Sequence, residues 1–254
     1  MALRDTITQT ETSVIKRGAP AAIFFEAERT RRAHALASAG GLFQVPRVLS
    51  CDEQTGILEL ERLHDLEPVQ RLLAHGSAEW SIWSRLGTVL AVVHGDAALR
   101  AWSRGVLSEA LPVVWRLQDE PEVAIHGDFD AGNIFYRRRD DMIVVLDWAV
   151  SPMLDVLCNV GPRCFDVAFF MSGAFFLPRR YLRHRKIGQK LRLFLHGYER
   201  ELGKHLNRKT LVDFALRAAE LRLERQPKSA MQRASYRRSL GRLTRFLEDG
   251  LDDG

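Results

Sequence analysis

The chain has 254 residues, of which 46% are hydrophobic, and this is enough for a packed core in one domain or two small ones. Its three cysteines, Cys51, Cys158 and Cys164, are odd in number and lack metal-ligand spacing, which argues against a disulfide framework or a zinc site and favours a reducing cytoplasm. The polar first twelve residues lack the apolar core of a signal peptide, and the longest apolar stretch, residues 167–177, is too short to span a bilayer. We therefore expect a cytoplasmic protein without a transmembrane segment.

The formal net charge of +5 is unevenly distributed. Residues 179–254 hold 20 Lys and Arg against 9 Asp and Glu, a net charge of +11, whereas residues 1–178 hold 17 against 23, a net charge of −6. Basic residues on the outer face of long helices are usually a solvated surface, and we favour that interpretation. An anionic partner or a peripheral contact with a membrane is the alternative, whereas nucleic acid is not expected because the sequence has no recognition fingerprint and no aromatic platform.

The N-terminal part of the chain is predicted to form a few strands around one helix. The pattern of apolar and turn residues predicts a strand at 12–16, a helix at 21–39 and two further strands at 48–51 and 57–63. The first strand is β-branched and ends in Lys16, and two consecutive glycines, at 40 and 41, end the helix. A lysine at the end of a strand thus comes just before a helix that contains two acids, Glu26 and Glu28.

Three helices are predicted next, at 68–76, 79–94 and 108–118. The tripeptide His-Gly-Asp at 94–96 is interpreted as the end of the second helix, because no Asn follows it at the fifth position.

The stretch 126–148, HGDFDAGNIFYRRRDDMIVVLDW, is predicted to form a hairpin. Two apolar runs, at 134–136 and 142–146, are separated by the polar cluster 137–141, as in two antiparallel strands joined by a turn.

Three polar side chains flank this hairpin. Asp128 and Asn133 precede its first strand and Asp147 follows its second, so all three are expected at one edge. Phosphoryl transfer from a nucleotide uses such a set: one carboxylate orients or deprotonates the attacking hydroxyl, and an amide with a second carboxylate holds Mg²⁺ on the phosphates. An ordinary hairpin with acidic turn residues is the alternative.

The chain is predicted to be mainly helical from 180 to 247, with breaks near 203–207 and 226–228. Apolar residues at helical spacing in 210–225 predict one helix with a core-facing stripe.

The sequence HGDFDAGN at 126–133, followed by Asp147-Trp148, resembles the aminoglycoside phosphotransferase and choline kinase branch of the protein-kinase-like superfamily. The resemblance implies an α+β, two-lobed protein-kinase-like fold, with a reduced N-terminal β-lobe at 1–63 that binds the nucleotide. A mainly helical C-terminal lobe at 64–254 would hold the catalytic loop and the acceptor site.

The resemblance also implies roles for individual residues. Lys16 would contact the α- and β-phosphates of ATP, for which GTP is the alternative, and would pair with an acid on the following helix. Glu28 is the preferred partner and Glu26 the fallback. Adenine would pair with backbone groups between Glu61 and Leu63.

For the metal and the reaction, the implied ligands of Mg²⁺ are Asn133 and Asp147, and the implied catalytic residue is Asp128.

Two departures from the family pattern bear on these expectations. The family's phosphate-covering hairpin should precede the lysine strand, yet none of the fifteen residues before Lys16 is glycine, so either the hairpin is reduced to one strand or the true start of the protein lies upstream. About eight extra residues precede the stretch 161–168, in which Asp166 is predicted to be a buried acid that binds the backbone of the catalytic loop. The inserted residues, 150–160, would lie beside the acceptor site.

Two functions are therefore considered. The first is a kinase that transfers the γ-phosphate to a hydroxyl of a small molecule such as an amino sugar, a sugar or a related metabolite. Gly127, in the place of the Arg of protein kinases, favours small acceptors, because that Arg pairs with a regulatory phosphate. The second is a catalytically lapsed, kinase-like nucleotide-binding or scaffold protein. Joint retention of Asp128, Asn133 and Asp147 favours the enzyme.

Overall fold

The computed structural model describes residues 6–75, 80–102, 120–149, 157–176, 184–225 and 229–249. The strands are β1 (Thr6–Gln9), β2 (Ser13–Arg17), β3 (Phe43–Gln44), β4 (Val48–Asp52), β5 (Ile57–Glu61), β6 (Glu67–Pro68), β7 (Glu122–Ala124), β8 (Ile134–Arg137), β9 (Met142–Val145) and β10 (Val160–Pro162). The helices are α1 (Pro20–Gly40), α2 (Val69–His75), α3 (Ser81–Gly95), α4 (Ala97–Ala101), α5 (Cys164–Phe175), α6 (His184–Leu202), α7 (Arg208–Arg225) and α8 (Ala230–Asp249). Within these residues, no helix is both long enough and apolar enough to cross a membrane.

The N-terminal sheet has four antiparallel strands in the order β1-β2-β5-β4. Helix α1 covers it, and its buried residues Ile23 and Ala27 pack against Leu58 and Leu60 of β5. Lys16 on β2 lies opposite Leu58, so the lysine is held on a central strand next to α1.

Helix α1 ends where its two glycines predict. Gly41 adopts a left-handed conformation with φ 65°, and its N–H donates to Ala37 O at 2.9 Å. Glycine adopts this conformation without a Cβ clash, which is why it stops helices so often.

The predicted hairpin is confirmed as β8 and β9, which pair with Ile134 opposite Val145. β3 pairs parallel to β9 and β6 antiparallel to β8, giving the strand order β3-β9-β8-β6. Past the last strand pair, Leu146 N–H donates to Asn133 O at 2.9 Å. This bond keeps the two ends of the hairpin together, so the residues before β8 lie beside those after β9.

The helical part is built on a close crossing of α3 and α6. A Cβ on Gly87 would lie 1.9 Å from Phe194 O, and one on Gly197 would lie 1.9 Å from Ser84 O. Glycine is therefore required on both helices for their backbones to approach this closely. Phe194 also contacts Phe129 of the catalytic loop, with ring centroids 6.4 Å apart, so α6 packs against the loop.

The predicted α+β class is confirmed, and the predicted order of lysine strand, helix and two strands is present as β2, α1, β4 and β5. Before β2 the described residues contain the single strand β1, which pairs antiparallel with β2. The predicted helix 68–76 begins one residue later, because Glu67 and Pro68 pair with β8 as β6. The predicted helix at 108–118, residues 150–156 of the insertion and the break at 226–228 lie outside the described residues.

The chain from α6 onward also follows the prediction. A break at 203–207 separates α6 from α7, and the stripe on α7 is buried at Leu211, Phe214, Ala215 and Ala218. The lobe boundary after residue 63 stays a prediction.

Candidate active site

The catalytic loop runs from the end of β7 to the start of β8. Gly127 adopts φ 81°, which lets the chain turn sharply before Asp128. Asp128 accepts two hydrogen bonds from Asn133 Nδ2, 2.8 Å to Oδ2 and 3.1 Å to the backbone oxygen. The loop closes on itself, since Asp130 N–H donates to Asp128 O at 2.8 Å and Asn133 N–H donates to Asp130 O at 2.9 Å. The predicted catalytic residue and one predicted metal ligand are thus in direct contact.

Asp166 holds the start of this loop, as predicted. Its Oδ2 accepts from His126 N–H at 2.6 Å and its Oδ1 accepts from Gly127 N–H at 2.9 Å. His94 Nε2 donates to the same carboxylate at 3.1 Å. Burial alone would raise the pKa of Asp166, but the hydrogen bond and charge of His94, together with His126 and its N–H, hold the pKa below its ordinary value. The buried carboxylate is therefore ionised and fixes the loop backbone.

His126 is a structural residue of the loop. It is buried, and its ring lies 4.7 Å from that of Trp148. Burial, with a contribution from Arg29, lowers the pKa of His126 to about 4. The ring is therefore neutral at pH 7. Its Nδ1 accepts from Asp128 N–H at 3.3 Å, so we assign the proton to Nε2, which donates to Leu146 O at 3.2 Å.

Lys16 joins the N-terminal sheet to the end of β9. Its Nζ donates to Glu26 Oε1 at 2.5 Å and to Asp147 Oδ1 at 2.8 Å. Burial disfavours the charged form, but the carboxylates of Glu26 and Asp147 outweigh it and raise the pKa of Lys16 above its ordinary value. The lysine is therefore a fixed cation beside the predicted metal ligand.

The preference for Glu28 as the partner of Lys16 is wrong. Glu28 forms an ion pair with Arg31, which lies three residues further along α1. The side chain of Arg31 is 44% exposed. Residues two apart on a helix point to nearly opposite sides, so only one of the two acids can face β2. That acid is Glu26, whose side chain is 4% exposed.

The donor set of Asn133 and Asp147 fits Mg²⁺. Asp147 adopts a left-handed φ of 58°, and its side chain is 40% exposed. Asn133 uses Nδ2 to bind Asp128, which leaves Oδ1 as its ligand atom. Within the described residues, no group of three or more His, Cys, Asp or Glu could hold a metal ion. One carboxylate and one amide correspond to an Mg²⁺ site that is completed by substrate phosphates and water.

A cleft of about 500 Å³ lies between the two lobes, and Lys16, Asn133 and Asp147 are all part of its wall. Glu61 and Leu63 line it from the segment after β5, where adenine was predicted to bind. Among the described residues, the backbone N–H of Leu63 donates no hydrogen bond, whereas that of Arg62 is bound to Thr12 O at 2.9 Å.

Sequence reasoning missed the apolar walls of this cleft. The side chains concerned are Ile7, Val14, Pro46, Leu60, Phe135 and Leu146. Alternation along β1, β2 and β5 could have indicated some of them, because residues two apart on a strand share a face.

It also missed two buried arginines. Arg29 on α1 binds backbone oxygens on both sides of the site, and Arg222 on α7 donates to Asp130 Oδ2 at 2.8 Å. No local pattern distinguishes them from the solvated arginines of the same helices.

The whole fold is shared with solved structures of small-molecule kinases. A choline/ethanolamine kinase family protein from Mesorhizobium loti superposes with a TM-score of 0.58 at 13% sequence identity, over 98% of this chain and 87% of that one. A glucosamine kinase superposes with a TM-score of 0.59 at 18% identity, over 99% and 76%. The aminoglycoside phosphotransferase APH(3'')-Id from Streptomyces rimosus gives 0.51 at 13% identity, over 94% and 92%.

No protein-family model matches the sequence, and no curated protein matches it either. The structural likeness confirms the predicted resemblance at the level of the fold.

Proposed function

We propose that the protein is a Mg²⁺-dependent phosphotransferase that moves the γ-phosphate of ATP, or of GTP, to a hydroxyl group of a small molecule. The observation that supports this most directly is the convergence of three side chains at one cleft, with Asp128 hydrogen-bonded to one of them. Asp128 contacts Asn133 at 2.8 Å and Lys16 contacts Asp147 at 2.8 Å, while Asn133, Lys16 and Asp147 all line the cleft.

Asp128 is the proposed catalytic residue. It would accept a hydrogen bond from the acceptor hydroxyl, orient its oxygen in line with the γ-phosphate and take its proton as the bond to phosphorus forms. Asn133 and Asp166 prepare this carboxylate, the first by binding it directly and the second by fixing the two preceding peptide units. Preorganisation of this kind lowers the barrier because no group has to reorient during the reaction.

The nucleotide would lie with its base against Glu61 and Leu63 and its phosphates toward Lys16. The Lys16 ammonium, held by Glu26, supplies a fixed positive charge for the α- and β-phosphates. Asp147 and Asn133 would hold the metal ion, which when bound neutralises phosphate charge and positions the γ-phosphate. Because Lys16 and Asp147 lie 2.8 Å apart, one region of the cleft can serve both tasks.

The proposed acceptor class is an amino sugar, a sugar or a related hydroxylated metabolite. A glucosamine kinase with this fold has been solved with glucosamine, ADP and inorganic phosphate, and APH(3'')-Id with ADP and streptomycin. The positive charge of residues 179–254 would suit an anionic sugar. The three free cysteines are in keeping with a cytoplasmic location, which we also propose.

A nucleotide-binding protein without catalysis is the second candidate. It is favoured by one observation: among the described residues β1 is the one strand before β2, and its cleft-lining Ile7 is 59% exposed.

One experiment separates the two functions. ATP and GTP turnover should be screened against aminoglycosides, amino alcohols, sugars and phosphorylated sugars, with wild-type protein and Asp128→Asn side by side. Acceptor-dependent release of nucleoside diphosphate that is lost in the variant would support the kinase. Nucleotide binding without turnover for any acceptor, and without hydrolysis, would support the second candidate.

A further inference from the structure

Arg29 is a buried cation in the middle of α1. Its side chain is 2% exposed, and it lies one helical turn after Glu26. Within the described part of the chain it forms no ion pair, and its hydrogen bonds go to three backbone oxygens. Burial lowers the pKa of Arg29 to about 10, so it stays charged at neutral pH. A buried charge is costly unless hydrogen bonds compensate for its lost hydration, so these three bonds are essential to the arrangement.

The three oxygens belong to the two segments that form the candidate active site. Nη1 donates to Trp148 O at 2.5 Å, one residue after Asp147. Nη2 donates to Ile125 O at 2.6 Å and to His126 O at 2.7 Å, just before Asp128. The planar guanidinium presents its two nitrogens in a fixed fork, which lysine cannot reproduce. Arg29 therefore sets the spacing between the catalytic loop and the segment of the predicted metal ligand.

The same peptide units are also held from their other side. Ile125 O and His126 N–H belong to one peptide unit, and the next unit contains His126 O and Gly127 N–H. Arg29 binds both oxygens and Asp166 binds both N–H groups. Two buried opposite charges, one from α1 and one from α5, thus fix two successive peptide planes.

We propose that Arg29 is a positioning residue for the metal–nucleotide complex. Through its hydrogen bonds to the backbone oxygens of Trp148, Ile125 and His126, it fixes Asp147 and Asp128 relative to α1. The same helix carries Glu26, which binds Lys16. Asp147 has a left-handed backbone, a conformation that residues other than glycine adopt at an energetic cost and keep where neighbouring contacts enforce it. The bond to the adjacent Trp148 O is such a contact. A displacement of α1 would leave the guanidinium and three carbonyls unbonded, so α1 and the site move as one body.

This inference rests on the proposed function, and metal-dependent nucleotide binding tests it without a known acceptor. ATP affinity should be measured by calorimetry with and without Mg²⁺ in wild type, Arg29→Gln, Arg29→Lys and Asp147→Asn, with melting temperatures for each. The readout is the ratio of the ATP affinity with Mg²⁺ to the ATP affinity without it. Arg31→Gln is the matched control, because Arg31 lies on the exposed side of the same helix and pairs with Glu28.

We expect Arg29→Gln to reduce the ratio at least tenfold and Arg29→Lys to reduce it less, while Arg31→Gln leaves it unchanged. Because Arg29 acts through the segment that carries Asp147, the double variant Arg29→Gln, Asp147→Asn should lose no more than the larger single loss. A purely structural role would lower the melting temperature and leave the ratio intact.

The proposal is overturned if folded Arg29→Gln keeps the wild-type ratio within twofold. It is also overturned if the fold-reductions of the ratio in the two single variants multiply in the double variant. Where Arg29→Gln does not fold, Arg29→Lys decides by the same criterion. Absence of Mg²⁺-dependent ATP binding in wild type would overturn the proposed function and this inference together. An unaffected Arg29 variant beside an impaired Asp147→Asn would overturn this inference alone.

Discussion

Lys16 Nζ lies 2.8 Å from Asp147 Oδ1, although 131 positions separate the two residues in the sequence. Lys16 belongs to β2, one of the two central strands of the N-terminal sheet, and Asp147 follows the hairpin of the helical lobe. The contact is charged on both sides and borders the cleft, so it ties the two lobes together at the place where nucleotide phosphates are proposed to bind.

The first prediction concerns which acid supports Lys16. Glu26→Gln removes the partner at 2.5 Å, so Lys16 should be drawn toward Asp147 and away from the phosphates. We expect the affinity for Mg²⁺-ATP, measured by calorimetry, to fall roughly tenfold, which corresponds to about 1.4 kcal/mol. Glu28→Gln is the control and should change the affinity less than about twofold, since an exposed i,i+3 ion pair contributes only about 0.2–0.5 kcal/mol to its helix. Equal effects of both substitutions would contradict the assignment of Glu26.

The choice between Glu26 and Glu28 shows how far the sequence could be used. The lysine strand, α1, β4, β5 and the hairpin of β8 and β9 followed from periodicity and from turn residues. The short strands β1, β3, β6 and β10 and the helices α4 and α5 were not predicted. To choose between the two acids on α1, one has to know which side of the helix faces the sheet. The spacing of charged residues did not decide it, because Glu26 and Arg29 have the same i,i+3 spacing as Glu28 and Arg31.

Arg29 and the Asp130–Arg222 pair could not be predicted in the same way. Each arginine contacts residues more than ninety positions away, and nothing local to α1 or α7 marks one arginine of several as buried. Such contacts depend on how the helices are packed, which periodicity does not encode.

The second prediction concerns Asp128. Asparagine at this position keeps an oxygen that can accept from Asn133 Nδ2, so the loop should fold normally. It cannot accept the proton of the acceptor. We expect turnover with the best acceptor of the screen to fall by about 10²–10⁴, or about 3–5 kcal/mol of transition-state stabilisation, with ATP affinity unchanged. Asp140→Asn, in the turn between β8 and β9, is the control and should be fully active. Full activity of Asp128→Asn would refute the proposed mechanism.

The third prediction is a dependence of stability on pH. The pKa of His126 is about 4 in the folded protein, because the ring is buried, and about 6.5 when the chain is unfolded. Between these values the unfolded state binds more protons, so stability is greatest above pH 6.5 and falls as the pH is lowered toward 4. The slope from this residue is at most about 1.4 kcal/mol per pH unit.

Urea unfolding of wild type and His126→Gln between pH 7.5 and 5 would measure this slope. The variant should be less stable at pH 7.5 but should show a weaker dependence on pH. His196→Gln, at an exposed position on α6, should keep the wild-type slope. An unchanged slope in His126→Gln would assign the effect to other groups.

The last prediction concerns the contact between α5 and the catalytic loop. A Cβ on Gly173 would lie 2.5 Å from Asp130 Oδ2 and 3.0 Å from Arg222 Nη2, so alanine there must displace the ion pair, whose two atoms are 2.8 Å apart. Overpacking of this kind typically costs about 1–3 kcal/mol, which exceeds the gain of about 1 kcal/mol from replacing glycine in a helix. We therefore expect Gly173→Ala to lower the free energy of unfolding. Gly241→Ala is the control, because a Cβ there meets nothing within 4 Å in α8, and it should be stabilising by up to about 1 kcal/mol.

A double-mutant cycle locates the cause of this loss. In an Asp130→Ala background the carboxylate that Cβ would meet at 2.5 Å is absent, so Gly173→Ala should become neutral or stabilising. Because Asp130 also binds the backbone on both sides of the loop, through Asp128 O and Asn133 N–H, Gly173→Ala in the otherwise wild-type protein should reduce turnover more than nucleotide affinity. Equal destabilisation by Gly173→Ala in both backgrounds would show that the helix itself, and not the ion pair with Arg222, requires glycine at this position.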